Sequence, residues 1–226
     1  RRSPLKELSY RYVMTNSPDL RGIDVALLYQ RDLFKLLSSR SISIPPLKQY
    51  RPTRDLLHVS GLLLTGDTLD VFVCHLPSRS GGAKESESYR LYAAHILRME
   101  VDSIMSIRSL PQVIIMGDFN DYPTNQSIQK ILEAEAPPVT TNNLASTTGS
   151  TNFSTVAPSS LKLYHLLARK AKSKDFGSYK YRGEWGLLDH LIVSGTLLNQ
   201  SNHFFTSEEK ANVCLLPFLL KDDEKY

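Results

Sequence analysis

Short hydrophobic runs separated by polar, turn-forming segments dominate the first third of the chain. Runs at 23–29 and 33–44 predict two strands joined by a turn, with the second strand next to the first. Runs at 56–65 and 69–75 are separated by Gly66-Asp67-Thr68, and this arrangement predicts a β-hairpin. The pattern therefore indicates antiparallel strand pairs at the start of the fold.

The rest of the chain mixes helical and strand patterns. Residues 85–108 place apolar side chains at helical spacing and predict the longest helix. Shorter helices are predicted at 125–135 and 161–171, and buried strands at 113–116 and 187–193. Hairpins combined with helical crossovers predict an α/β (α+β) fold with a mixed sheet, and the pattern allows two sheets packed face to face.

Composition narrows the class of protein without identifying its chemistry. The chain has 226 residues, of which 41% are hydrophobic and 22% charged, which is typical of a soluble globular domain. No apolar stretch approaches the roughly 20 residues that span a bilayer. The net charge of +4 suits an anionic substrate but is also common in other proteins. Cys74 lies within an apolar run and is interpreted as a buried free thiol. Residues 137–160, rich in Thr, Ser, Asn and Pro, are interpreted as a surface loop, with a linker as the alternative.

Three of the predicted strands carry polar side chains at one end. His75 follows one apolar run, Asp118 and Asn120 follow another, and Asp189 lies near the start of a third. Singly, each has an ordinary explanation, such as a hydrogen-bonded histidine or a Gly-Asp turn. A carboxylate and a carboxamide two residues apart in an extended chain, however, project from the same side. The combination predicts a site where these strands end.

The loop after His75 has the composition of an anion-binding loop. Ser78, Ser80 and the backbone of Gly81-Gly82 can offer hydrogen-bond donors without steric hindrance. Arg79 can bind a phosphate with its planar guanidinium. The alternative is a flexible hydrophilic loop without a ligand.

Four segments resemble successive motifs of the endonuclease/exonuclease/phosphatase superfamily, which includes the pancreatic-type deoxyribonucleases. They are Arg21-Gly22-Ile23-Asp24-Val25-Ala26-Leu27-Leu28-Tyr29, Cys74-His75-Leu76, Met116-Gly117-Asp118-Phe119-Asn120-Asp121 and Trp185-Gly186-Leu187-Leu188-Asp189-His190-Leu191-Ile192-Val193-Ser194. Order and spacing agree over residues 21–194. The resemblance implies a four-layer sandwich of two mixed β-sheets flanked by helices, and divalent-metal-dependent hydrolysis of a phosphoester.

The resemblance also implies roles for individual residues. Asp118 would activate or orient the attacking water and contribute to a metal site, and Asn120 would hold a non-bridging phosphate oxygen. His75 would donate to the phosphate, and Asp189 would orient a neighbouring catalytic group. Ser78 and Arg79, with Asn120, are the expected phosphate-binding residues. These roles suit phosphoryl transfer, which depends on alignment and on neutralising negative charge.

The chain departs from the superfamily at both ends. The Asn strand and the Glu strand that supplies the main metal ligand are missing, and no Ser-Asp-His occurs. We therefore expect residues 1–226 to be a single domain, truncated at both ends, with the Glu ligand for Mg (or Mn) upstream of Arg1. Such a chain is expected to bind metal weakly, to be inactive or weakly active, and to self-associate. Asp24 is predicted to pair with Arg21, and Asp121 to form a turn rather than bind a metal.

Two other functions stay open on sequence. The domain could be a non-catalytic binding or scaffold module of the same fold, or it could bind nucleic acid without hydrolysis. The basic residues that suggest the latter are Arg169, Lys170, Lys172, Lys174, Lys180 and Arg182. Phe176, Tyr179 and Tyr181 among them could stack on bases, but packing is the favoured interpretation. The substrate is not identified, and the loop at 78–82, which departs from that of abasic-site endonucleases, favours a separate, bacterial branch.

Overall fold

The structure is a computed structural model that describes residues 8–48, 50–139 and 158–216. The described residues form ten strands and one long helix, α1 (Glu87–Ile107). The strands are β1 (Tyr10–Met14), β2 (Ala26–Gln30), β3 (Phe34–Ile42), β4 (Leu56–Leu63), β5 (Thr68–His75), β6 (Gln112–Asp118), β7 (Leu163–His165), β8 (Tyr179–Tyr181), β9 (Glu184–Gly186) and β10 (Asp189–Ser194).

Six of these strands form one mixed sheet in the order β3-β4-β5-β6-β10-β7. Strands β5 and β6 are parallel and the other neighbours are antiparallel. Helix α1 connects the parallel pair, as a crossover must, because parallel neighbours cannot be joined by a tight turn. The predicted hairpin is confirmed as β4–β5. The prediction that residues 33–44 lie next to the preceding strand is wrong, because β3 pairs with β4 while β2 pairs with β1 in a separate ribbon.

Each face of the sheet carries its own hydrophobic core. Phe72, Cys74 and Ile115 point toward α1 and pack against its buried residues, among them Ala93 and Leu97. The opposite face presents residues such as Val71, Val73 and Leu57 to the ribbon β1–β2 and to the loops around β7. This alternation follows from the two-residue period of a strand, and it makes both faces of the central strands apolar.

Two of the predicted helices differ from the structure. The helix predicted at 161–171 is wrong: the segment forms β7 and then a 3₁₀ turn, Lys170–Lys172, because Leu163, Tyr164 and His165 pair with β10 at the sheet edge. The helix predicted at 125–135 is reduced to one π-helical turn, Ser127–Ile131. Most of the predicted loop at 137–160 falls on residues 140–157, which lie outside the described residues.

The α/β class is confirmed by the mixed sheet and its crossover helix. In the described ranges, the strands outside the six-stranded sheet form two short ribbons, β1–β2 and β8–β9. Cys74 is a buried free thiol, as predicted. Within the described ranges, no helix has both the length and the apolar composition to cross a membrane.

Candidate active site

Strands β5 and β6 end, and β10 begins, at one row of polar side chains. In the parallel pair β5–β6, His75 lies beside Asp118, and in the antiparallel pair β6–β10, Asp118 lies beside Asp189. Residues in register on adjacent strands project from the same face, so the three side chains point the same way at one rim of the sheet. The structure therefore brings together three residues that are far apart in the sequence, the first and the last being more than 100 positions apart.

Gly117 allows the backbones of β5 and β6 to approach each other closely, one residue before this row. Its φ of 128° is one that side-chain-bearing residues rarely adopt, and a Cβ there would lie 2.0 Å from the carbonyl oxygen of Cys74. Leu76 N donates to Asp118 O at 2.9 Å, which extends the pairing by one step beyond the strands. The backbone that carries His75 and Asp118 is thus fixed on both strands.

Asn120 joins the row by a different geometry from the predicted one. The strand ends at Asp118, and Asn120 adopts a left-handed conformation with a φ of 50°, so the chain is not extended between the two. Its backbone N–H donates to Asp118 Oδ1 at 2.7 Å, and its Nδ2 donates to Leu76 O at 3.0 Å. The turn folds the carboxamide back toward the end of β5 and keeps it beside the carboxylate.

His75 is held neutral at neutral pH. Burial lowers the pKa of His75 to about 4, and the positive charges of Arg54 and Arg21 act in the same direction. The carboxylates of Asp19 and Asp189 partly oppose this change in pKa. His75 Nε2 lies 3.6 Å from Asp118 Oδ2, which is too long for a good hydrogen bond. The imidazole is therefore uncharged, and its Nε2 is not engaged in a hydrogen bond with Asp118.

Asp118 is a half-buried carboxylate with one oxygen occupied. Burial raises the pKa of Asp118, the backbone N–H of Asn120 opposes this, and the negative charge of Asp189 raises the pKa further. Oδ1 receives the Asn120 N–H, while Oδ2 faces His75. A carboxylate made more basic by its surroundings, with one oxygen available, has the properties of a general base.

A buried arginine supports the row from behind. Arg54 donates from Nε to His75 O at 3.1 Å and from Nη2 to Leu76 O at 2.6 Å, while its Nη1 contacts Asp19 Oδ2 at 3.1 Å. Asp19 also pairs with Arg21. The predicted Asp24–Arg21 pair is therefore wrong, since Asp24 instead accepts from Thr15 Oγ1 and Ser17 N. Sequence reasoning missed Arg54 and Asp19 because 35 residues separate them and no local motif connects them.

A second buried network fixes the loop that follows Asp118. Leu167 N donates to His165 Nδ1 at 3.1 Å, His165 Nε2 lies 2.5 Å from His190 Nδ1, and His190 Nε2 lies 2.9 Å from Asp121 O. The backbone N–H of Leu167 can only donate and the carbonyl of Asp121 can only accept. Each histidine in this series of hydrogen bonds therefore carries its one ring proton on Nε2, and both histidines are neutral. His190 thus positions the loop by a backbone contact.

The side chain of Asp121 is fully used in this network. Arg90 Nε donates to Asp121 Oδ1 at 2.7 Å, and Ser127 Oγ donates to Oδ2 at 2.7 Å. Arg90 also donates to Ser86 Oγ and to Ala83 O, at the start of α1. Asp121 therefore connects the loop to the helix through both of its carboxylate oxygens.

The predicted phosphate-binding loop lies beside this row. Ser78 Oγ accepts from Ser80 N at 3.2 Å, and the Arg79 guanidinium lies 4.8 Å from the centroid of the Tyr122 ring. Arg79 is thus held against the loop that follows Asn120 by a cation–π contact. Among the described residues, no hydrogen bond or ion pair joins Ser78 or Arg79 to His75 or Asp118.

The described residues alone do not fit a resident magnesium ion. Within residues 8–48, 50–139 and 158–216, no group of three or more His, Cys, Asp or Glu side chains could hold a metal. Asp118 offers one available carboxylate oxygen, whereas Mg²⁺ prefers near-octahedral oxygen coordination. Of the residues in the row, Asp118 would supply one oxygen ligand to a divalent metal.

A histidine, two carboxylates and a carboxamide therefore lie together at one rim of the mixed sheet. The model of the Endonuclease/Exonuclease/phosphatase family matches residues 1–226, and the chain belongs to this family. No curated protein sequence matches the chain.

Solved structures share the fold at low sequence identity. The human Nocturnin catalytic domain with bound sulfate anion has a TM-score of 0.56 and 20% identity, over 84% of this chain and 62% of that one. Truncated Caenorhabditis elegans TDP2 has a TM-score of 0.56 and 15% identity, over 84% and 63%. ANGEL2, a 2′,3′-cyclic phosphatase, has a TM-score of 0.54 and 16% identity, over 84% and 63%. The chain thus spans less than two thirds of the length of these structures.

Proposed function

We propose that the protein hydrolyses a phosphoester and that residues 1–226 act as one domain. The observation that carries the proposal is the in-register row of His75, Asp118 and Asp189. Family membership supports phosphoester hydrolysis in general terms, and the structural relatives include a protein described as a 2′,3′-cyclic phosphatase. A generic structural requirement would not place three titratable side chains together where two apolar cores end.

In the proposed reaction, Asp118 orients the attacking water and takes its proton on Oδ2. The new P–O bond forms as the bond to the leaving oxygen breaks, and that oxygen takes a proton from solvent. Because His75 is neutral at pH 7, it stabilises the phosphoryl group by donating a hydrogen bond rather than by adding a positive charge. The 3.6 Å separation from Asp118 leaves its Nε2 available for this contact.

Asn120 and Asp189 position the reacting groups. Asn120 holds Asp118 through its backbone N–H, and its carboxamide lies at the end of β5, where a non-bridging oxygen would be bound. The charge of Asp189 raises the pKa of both His75 and Asp118, so it keeps both groups more basic. Its own backbone N–H donates to Ser178 Oγ at 3.1 Å. Asp118 would supply one oxygen ligand to a bound Mg²⁺ or Mn²⁺.

The proposal is tested with two isosteric or near-isosteric variants, Asp118→Asn and His75→Gln. Hydrolysis of bis(p-nitrophenyl) phosphate is measured with Mg²⁺ or Mn²⁺, and each variant is expected to lose about 100-fold or more in turnover. Binding of inorganic phosphate is measured in parallel. We expect slow turnover, because Asp118 is the one metal ligand identified among the described residues. Inorganic phosphate should shift the imidazole NMR signals of His75.

The matched control is Asp32→Asn, which removes an exposed carboxylate at the β2–β3 turn, beside the strand ends opposite the row. It should leave both turnover and the phosphate-induced shifts unchanged. The proposal fails if Asp118→Asn turns over at the normal rate, or if phosphate saturates the protein without affecting His75.

A second candidate function rests on the ribbon β8–β9. Tyr179 and Tyr181 are 46% and 57% exposed, so the prediction of packing is wrong for these two rings, whereas Phe176 packs against the core. Their rings lie nearly parallel, 12° apart with centroids 6.2 Å apart, and the Arg182 guanidinium lies 5.2 Å from the Tyr181 centroid. Exposed aromatic rings beside cations are typical of surfaces that stack single-stranded bases. This favours nucleic-acid binding, with or without hydrolysis.

This second candidate predicts salt-dependent binding of labelled single-stranded DNA. Replacing Tyr179 and Tyr181 by Ala should weaken the affinity by about 10-fold or more, because each stacked base contributes about 1–3 kcal/mol. Tyr12→Ala, which removes a 68% exposed tyrosine from β1, is the control. Binding that is equal in the two variants would exclude the ribbon as the interface.

A further inference from the structure

The backbone N–H groups of Leu188 and Asp189 both donate to one side chain, the hydroxyl of Ser178. Ser178 Oγ lies 3.3 Å from Leu188 N and 3.1 Å from Asp189 N. A serine hydroxyl has two lone pairs, so these two hydrogen bonds use its whole capacity as an acceptor. The chain enters β10 through Leu188 and Asp189, at the row of polar side chains. Ser178 therefore holds the backbone that carries Asp189.

No strand supplies an acceptor for the N–H of Asp189. Successive residues of a strand direct their backbone groups to alternate sides, so Asp189 faces the same side as Leu191, whose carbonyl accepts Leu166 N at 2.9 Å. Strand β7 lies on that side, but it pairs only with Ile192–Ser194. The hydroxyl of Ser178 takes the place of a neighbouring strand where β7 does not reach.

The segment that carries Ser178 is itself held against β9. Ser178 N donates to Gly186 O at 3.0 Å, one residue before β8 begins. Gly177 lies directly on the backbone of Gly186, since a Cβ on Gly177 would lie 2.5 Å from Gly186 O. The two backbones can approach this closely because neither residue has a side chain. The hydroxyl of Ser178 is thus fixed at the base of the ribbon β8–β9.

The carboxylate of Asp189 depends on this backbone for its position. In the described part of the chain, the Asp189 carboxylate takes part in no hydrogen bond or ion pair. On the other side of the same segment, Leu188 O accepts Phe119 N at 2.8 Å, and Phe119 directly follows Asp118. The segment is therefore joined to the Asp118 loop by a carbonyl and to Ser178 by two N–H groups.

We propose that Ser178 is a positioning residue for the hydrolysis and that it holds the Asp189 carboxylate beside Asp118. The inference rests on the proposed phosphoesterase function and adds to it a residue that contacts no substrate itself. Ser178 acts as a hydrogen-bond acceptor, so a side chain of similar size that accepts poorly should not replace it. Displacing a reacting group by about 1 Å can lower turnover by about 100-fold, so the loss of these two hydrogen bonds should be measurable.

The test is a double-mutant cycle on the full chain, measured by hydrolysis of bis(p-nitrophenyl) phosphate with Mn²⁺. Ser178→Ala and Ser178→Cys should each lower kcat about 10-fold and change KM less than about two-fold. When Asp189→Ala is also present, Ser178→Ala should lower kcat by less than about two-fold, because no carboxylate is left to position. Ser173→Ala is the matched control and should leave kcat unchanged, since Ser173 Oγ accepts a backbone N–H from Asp175 and none from Leu188 or Asp189.

Amide hydrogen exchange measures the same contact without turnover. Ser178→Ala and Ser178→Cys should speed exchange at the amides of Leu188 and Asp189 about 10-fold, the effect of losing one hydrogen bond. Ser173→Ala should leave both amides at their wild-type rates. Unchanged exchange in both Ser178 variants would overturn the inference, because the hydroxyl would then not hold this segment.

The kinetic outcomes separate this inference from the function on which it rests. An equal fall in kcat on Ser178→Ala with and without the Asp189 carboxylate would overturn the inference, because Ser178 would then act by another route. Wild-type turnover in Ser178→Cys would also overturn it, because packing alone would explain the conformation. If the wild type does not hydrolyse the phosphodiester at all, the proposed function itself is contradicted.

Discussion

The paired histidines behind the site should make folding stability depend on pH. Burial lowers the pKa of His165 to about 3 and of His190 to about 4, from an ordinary value of 6.5. An added proton would have to replace a hydrogen bond, since His165 Nδ1 and His190 Nδ1 are both acceptors. The folded state therefore excludes protons that the unfolded chain takes up. Stability is complete above pH 6.5 and is lost as the pH falls from 6.5 toward the folded pKa values.

The expected loss can be calculated from these pKa values. A histidine whose pKa is 6.5 in the unfolded chain and about 4 when folded loses about 2 kcal/mol of unfolding free energy between about pH 7 and pH 5. The pKa of His75 is also lowered to about 4, and His75 acts in the same direction. Carboxylates of the unfolded chain titrate mostly below pH 5, so histidines dominate this interval. The total loss should exceed the value for His190 alone.

The assay is urea unfolding followed by circular dichroism at several pH values between about 7 and 5, conditions set by the histidine pKa range. His190→Gln should be less stable at pH 7, because it breaks a buried hydrogen-bond chain, but should lose about 2 kcal/mol less on acidification. His95→Gln, which removes an exposed imidazole of α1, is the control. The reasoning is refuted if wild type and His190→Gln lose the same free energy over the interval.

Three further predictions concern the backbone, the metal and association. Gly117→Ala should cost about 3 kcal/mol or more in urea unfolding, because its Cβ would meet the Cys74 carbonyl, whereas Gly66→Ala has open space and should cost about 1 kcal/mol. Mg²⁺ should bind this chain with a Kd of about 1 mM or weaker by calorimetry, and micromolar binding would reveal ligands beyond Asp118. The chain should self-associate in multi-angle light scattering through the exposed apolar residues of β1–β2, Leu28→Lys should reduce this, and a stable wild-type monomer at high concentration would contradict it.

Local signals in the sequence were sufficient for the strands that carry the site. Gly66-Asp67 marks the β4–β5 turn, and the apolar runs before His75 and Asp118 are strands at those positions. The polar residues at their ends could therefore be identified as a group before their contacts were known. The in-register placement of His75, Asp118 and Asp189 could not be derived from periodicity, because strand order is determined by long-range packing.

Other features depended on partners that are distant in sequence. The segment that contains β7 has apolar residues at helical spacing, yet pairing with β10 at the sheet edge overrides that preference. The left-handed turn at Asn120 is stabilised by Leu76, which lies 44 residues earlier. Arg54 and Asp19 come into contact only in the folded protein. The sequence likewise does not reveal that the hydroxyl groups of Thr53 and Tyr89 are buried without a hydrogen-bond partner among the described residues.

The grip of Arg54 on the carbonyls of His75 and Leu76 has a consequence for how the protein meets its ligand. Hydrogen bonds from Arg54 hold the backbone at the end of β5 in place. At His75, only the two side-chain torsion angles are therefore free to change. Ligand entry should then rearrange side chains without shifting strands. Structures with and without phosphate should superimpose in backbone over β5 and β6, and differ in the rotamer of a single ring.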